Sequence, residues 1–127
     1  MVAALPGAES VRRAPDRCGD GGTSMRMLLK VSIDTEKGNQ AFRDGTLQKV
    51  MQWARDELKP EAAFFSPSNG KRTAYFVFDM QDASRLPAIA EPFFEAVGAH
   101  IELAPAMDFN DMQTGVQQAQ EVLKNFQ

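Results

Sequence analysis

The segment Pro67-Ser68-Asn69-Gly70 constrains this chain more than any other, because Asn and Gly accept positive φ cheaply and mark a tight hairpin turn. The run that follows, Arg72 to Met80, alternates with a period of two. Ala74, Phe76, Phe78 and Met80 fall on one face, with Thr73, Tyr75, Val77 and Asp79 on the other. Before the turn, Ala62-Ala63-Phe64-Phe65 forms the short partner strand and places its two phenylalanines on opposite sides. A hairpin that is apolar on both faces must lie in a sheet that is covered on both faces.

The same reading extends along the chain. Met27, Leu29, Val31 and Ile33 alternate with Leu28, Lys30 and Ser32, a further strand with apolar residues on both sides. Asp34 to Asn39 is polar and contains Gly38, so a loop is expected there. Leu47, Val50, Met51, Ala54 and Leu58 then share one helical face, with Phe42 on a preceding turn and Gly45 interrupting. Thr46 is the expected cap of that helix, and Pro60 stops it. A second helix begins near Asp82 or Ser84, accepts Pro87 in its first turn, and buries Leu86, Ile89, Ala90, Phe93 and Val97. Pro92 removes a backbone donor and is expected to kink or split it before Gly98 ends it. Ile101, Leu103 and Pro105 mark a last strand reaching about Met107. A final helix over 110–126 follows, with Met112, Val116, Ala119, Leu123 and Phe126 at helical spacing.

Strand, helix, strand, strand, helix, strand and a terminal helix is the order of a split βαβ unit. The expected fold is therefore α+β, a ferredoxin-like βαββαβ sandwich with an extra C-terminal helix. Its helices cover one sheet face only. A second copy of the chain is the economical cover for the other, which makes the protein a homodimer packed sheet to sheet. The terminal helix is free to close the open face or to reach across to the partner.

The domain so defined is residues 25–127. Residues 1–24 lack Phe, Trp, Tyr and Ile, and all nine phenylalanines of the 127-residue chain follow them. A segment so poor in large apolar groups cannot offset its ordering entropy and is expected to be disordered. It has neither the basic opening nor the apolar stretch of a signal peptide, and Met25 is a candidate initiator. The single cysteine, Cys18, excludes an internal disulfide and points to a reducing, cytoplasmic setting. A net charge of −3 gives no electrostatic reason to bind nucleic acid, despite the Lys71-Arg72 pair. No apolar run approaches the roughly 18 residues of a membrane span. No phosphate loop, nucleophile motif, metal-ligand cluster or glycine-rich cofactor turn is present, so no cofactor or metal is expected.

The element order, the size and the two-sided sheet resemble the dimeric α/β-barrel superfamily. Within it the chain is similar to an uncharacterised family of small bacterial proteins. Thr35-Glu36-Lys37-Gly38-Asn39, Arg43-Asp44-Gly45, Leu58-Lys59-Pro60-Glu61-Ala62-Ala63, Gly70-Lys71-Arg72-Thr73 and Ile89-Ala90-Glu91-Pro92-Phe93-Phe94 carry the likeness. The superfamily includes cofactor-independent monooxygenases, polyketide cyclases, lactone isomerases and haem enzymes. The resemblance implies a cavity between the sheet and its own helices, with polar groups facing it as candidates.

Three residues are the catalytic candidates. His100 is the only histidine and titrates near neutrality by default, which suits a general acid or base beside a bound phenol or enol; the alternative is a solvated strand-edge imidazole. Tyr75 shares a strand face with Asp79, but the two side chains stand roughly 13 Å apart, too far to act on one proton. Arg43, just before Gly45, is placed to hold a carboxylate or phenolate at a cavity mouth; the alternative is an exposed pair with Asp44. Trp53 reads as packing, and Glu91 with Glu95 as a solvated face. Two functions compete. One is a homodimer with an apolar cavity for a small apolar or aromatic molecule, catalytic if at all through cofactor-independent oxygenation, cyclisation or isomerisation. The other is a non-catalytic interaction module whose phenylalanines fill the core.

Overall fold

The computed structural model describes residues 24–127. The expected disordered leader and Cys18 therefore lie outside the described residues, Ser24 excepted. Four strands form one antiparallel sheet: β1 (Met25–Ile33), β2 (Ala62–Phe65), β3 (Thr73–Met80) and β4 (Ala99–Pro105). Their spatial order is β2-β3-β1-β4. Helices α1 (Thr35–Asp44), α2 (Thr46–Leu58) and α3 (Leu86–Val97) pack on one face, and α4 (Phe109–Leu123) follows the last strand. A 3-10 turn, Ala83–Arg85, leads into α3 and another, Lys124–Phe126, trails α4.

The alternation sorts the sheet cleanly. Met27, Leu29, Val31 and Ile33 of β1 are buried beneath the helices, together with Ala74, Phe76 and Phe78 of β3 and Ala99 of β4. From above, α2 contributes Val50, Ala54 and Leu58, and α3 contributes Ile89, Phe93 and Val97. Directly opposed residues of an antiparallel pair point the same way, so the register fixes the other face as well. Lys30 opposes Tyr75 and Glu102, Ser32 opposes Thr73 and His100, and Tyr75 opposes Phe64. No helix of the described residues covers that face strongly: Leu28 is 42% and Phe64 61% exposed.

The turn read from Asn69-Gly70 forms as expected. Ser68 and Lys71 exchange both backbone hydrogen bonds, at 3.0 and 3.1 Å, and Asn69 and Gly70 have φ of 55° and 76°. Both central residues at positive φ give the turn the twist its strands require.

Three local expectations are corrected. The polar stretch Asp34 to Asn39 is not a loop; Asp34 accepts a hydrogen bond from the Lys37 amide at 3.0 Å and starts α1. Gly38 looked like a breaker, but it is a place of close approach, since a Cβ there would stand 2.8 Å from Ile33 Cγ2. Thr46 does not cap α2. Gly45, at φ 87°, separates α1 from α2, and the Asp44 carboxylate takes the Thr46 amide at 2.9 Å. Of the two outcomes expected at Pro92, a kink or a split, the split does not occur: α3 runs unbroken from Leu86 to Val97. The apolar stripe of Ile89, Phe93 and Val97, fully buried on the sheet, holds the helix across the missing donor.

Candidate functional site

A chain of aromatic contacts crosses the mainly aliphatic core under the helices and reaches its edge. Trp53 of α2 meets Phe93 edge-on at 5.6 Å between centroids. Phe93 lies 6.4 Å from Phe76, and Phe76 meets Phe65 edge-on at 6.2 Å. Edge-to-face contacts in this range add to burial rather than merely filling space. Of the phenylalanines expected to compete for the interior, Phe76 and Phe93 take it, whereas Phe64 and Phe94 remain exposed.

The aromatic chain ends at a cavity. Phe65 forms part of its wall, with Ile33 from the end of β1 and Leu47 and Met51 from the first turns of α2. Ser66, Pro67, Arg72, Thr73 and Ala74, at the turn end of the hairpin, complete the lining. It is a hollow open to solvent on the side of Phe65, Ser66, Pro67 and Arg72, all exposed, and its volume is about 350 Å³. Leu47 and Met51 are half-buried because they stand over this space while Val50 and Ala54, on the same helix, reach the sheet.

Arg72, which contributes to the lining, is exposed and turns its guanidinium toward α1. Its Nη2 donates to Asn39 Oδ1 at 3.0 Å, and its guanidinium carbon lies 5.8 Å from the centre of the Phe42 ring. Nη1 sits 3.0 Å from where a Cβ on Gly38 would be, so the glycine leaves a notch in α1 for the guanidinium. Thr73, buried beside it, donates its hydroxyl to the Lys71 carbonyl at 3.0 Å.

The three candidates read from the sequence do not meet here. Tyr75 and His100 both belong to the open sheet face, on the two strands that flank β1, and neither lines the cavity. Two strand spacings and a two-residue offset put them about 12 Å apart. Tyr75 is half-buried with Lys30 Nζ 6.0 Å from its ring centre, and His100 is exposed. Arg43 is exposed in the last turn of α1. Trp53 packs in the core, as its reading as a packing residue expected. Among the described residues, no three His, Cys, Asp or Glu side chains lie close enough together to hold a metal ion. No helix among them is long and apolar enough to cross a membrane.

Sequence reasoning passed over Arg72, Ser66 and Thr73. The available signal was their position, since residues directly flanking a tight turn sit at the end of a sheet, where the helices above stop covering it.

The open face ends in a small charged group. Arg26 Nε donates to Glu61 at 3.2 Å, and Arg26 Nη1 lies 3.5 Å from Asp108. Asp108 starts α4 by a reciprocal pair of bonds with Asp111. The helix then leaves the sheet with Met112, Val116, Val122 and Leu123 about half exposed and Phe126 77% exposed.

Comparison with protein-family models finds no match, and neither does a search of curated proteins. Among solved structures, the chain is similar to the uncharacterised protein TM1266 from Thermotoga maritima, at 11% identity and a TM-score of 0.48. The alignment covers 66% of this chain and 99% of that one.

Proposed function

We propose that the chain is one subunit of a cytoplasmic homodimer with the ferredoxin-like, dimeric α/β-barrel architecture, and that each subunit binds a small organic molecule. The observation that carries the proposal is the cavity of about 350 Å³ between α2 and the hairpin. Its volume lies within the range of small-molecule sites, and its walls are mostly aliphatic and aromatic, as such sites require. The strand order and the helices on one face support the architecture, and the apolar residues of the open face support a second copy as its cover.

The alternative is a non-catalytic interaction module. The aromatic contacts from Trp53 through Phe93 and Phe76 to Phe65 favour it, because Phe76 and Phe93 are buried under the helices, where an internal cavity would lie. Catalysis by cofactor-independent oxygenation, cyclisation or isomerisation would rest on His100 and Tyr75 beneath the partner's sheet, with Arg43 outside that space.

Native mass spectrometry of the purified full chain tests the ligand reading, together with thermal shift against small aliphatic and aromatic compounds. Retained mass or a dose-dependent rise in Tm is the expected result. A bare chain that no such compound stabilises leaves the interaction module as the function.

A further inference from the structure

We infer that the second copy closes the cavity: Phe109, at the start of the partner's α4, seats over its open side, so that each ligand site is built from both subunits. This rests on the homodimer and ligand-binding readings and adds what the partner contributes to the site. Small-molecule sites bury most of their ligand, whereas this hollow is open past Phe65, Ser66, Pro67 and Arg72. Phe109 is 90% exposed, more than any other large apolar side chain among the described residues. Its backbone is nevertheless fixed: Asp108 and Asp111 form the capping box around it, and Arg26 holds Asp108 at 3.5 Å. Arg26 alternates with the buried Met27, so α4 starts on the open face of the sheet. The chain cannot close its own hollow in this way. Arg26 stands near one end of β1 and the hollow lies by Ile33 at the other, roughly 24 Å away.

Two-fold symmetry brings the two ends together. Facing sheets are related by an axis that runs either along the strands or across them. An axis along the strands sets like ends side by side and brings Lys71 and Arg72 near their own copies. An axis across the strands lays the Arg26 end of one sheet over the hairpin end of the other. Asp108 and Asp111 of one copy then approach Lys71 and Arg72 of the other, neither of which takes part in a described ion pair. Charge opposes the first arrangement and favours the second. The area agrees with it. Sheet and α4 together offer each partner on the order of 670 Å², where a stable interface needs about 800 Å². A buried phenylalanine contributes about 150–250 Å², so seating Phe109 makes up the difference.

Disulfide trapping in the full chain tests the contact, with Cys18→Ser as background. Ser66→Cys combined with Phe109→Cys is expected to give a covalent dimer on mild oxidation with copper phenanthroline. Neither substitution alone should do so, nor should Ser66→Cys with Phe126→Cys, whose second thiol lies about 25 Å along the helix. Phe109→Ala, at an exposed position, should keep its circular dichroism and weaken dimerisation about a hundredfold by sedimentation, since symmetry removes the ring from both mouths at about tenfold each. At concentrations where both are dimeric, the neutral dye N-phenyl-1-naphthylamine should bind the unaltered chain more tightly than Phe109→Ala. A dimer without the cross-link between positions 66 and 109 overturns the inference and keeps the homodimer reading. A cross-linked dimer whose dye affinity is the same in Phe109→Ala overturns closure of the site, and no dye bound by either form overturns the ligand-binding reading as well. A monomeric unaltered chain overturns both the inference and the homodimer.

Discussion

Gly38 is where α1 touches both the core and Arg72. Alanine normally improves a helix interior by about 1 kcal/mol over glycine. Here the new Cβ would lie 2.8 Å from Ile33 Cγ2 and 3.0 Å from Arg72 Nη1, and Ile33 is only 3% exposed. The guanidinium can swing away, but the isoleucine cannot, so overpacking of about 1–3 kcal/mol outweighs the gain in propensity. Gly38→Ala is therefore expected to lower stability by about 1 kcal/mol in urea denaturation; a stabilised variant would show that α1 has room to lift. This residue also shows where sequence reading stops. A glycine among Lys, Asn and Gln has the composition of a loop, and nothing local reveals that Ile33 and Arg72 converge on it. Arg72 itself was legible only as half of a basic pair, because Asn39 and Phe42 lie 33 and 30 residues earlier in the chain.

Among the elements, α4 is the one whose existence was plain from spacing and whose surroundings were not. Its periodic apolar residues announced a helix, free either to close its own sheet or to reach a partner, and its stripe stands exposed. A helix of 15 residues is marginal alone in water, so its first turn matters. The Asp108 carboxyl is held below the usual carboxylate range by the hydrogen bond from the Asp111 amide, aided by the charge of Arg26. Because its folded value is depressed, the stabilisation is complete above the unfolded value near 4 and is lost as pH falls through the folded one. Acidification from pH 5 to below the folded value should fray the start of α4 while the sheet persists. Asp108→Asn, which keeps a capping oxygen without the titration, should fray less. Amide exchange at residues 109–113 read by NMR distinguishes the two; identical pH profiles would remove Asp108 from the cause.

For the whole molecule, the open sheet face and the α4 stripe pose one problem. At about 3.4 Å per residue and 4.8 Å between strands, the sheet presents on the order of 450 Å². The helix adds roughly 220 Å², from a length of about 22 Å and a width of about 10 Å. A stable interface buries about 800 Å² per partner, so the sheet alone falls short and sheet with helix comes near. The face-to-face packing anticipated from the two-sided strands therefore needs the helix as well, which was not evident while the helix was only a pattern. Light scattering of the full chain at micromolar concentration is expected to give a dimer. Leu28→Glu with Phe64→Glu, at exposed positions on the open face, should give a folded monomer with an unchanged helical signal in circular dichroism. Val116→Glu, in the middle of the exposed stripe, should weaken the dimer without abolishing it, because it removes the smaller contribution. A monomeric unaltered chain would mean that both apolar surfaces remain in water. A Val116→Glu dimer as tight as the unaltered one would leave the sheet as the whole interface, and its buried area would then have to exceed what its strands can offer.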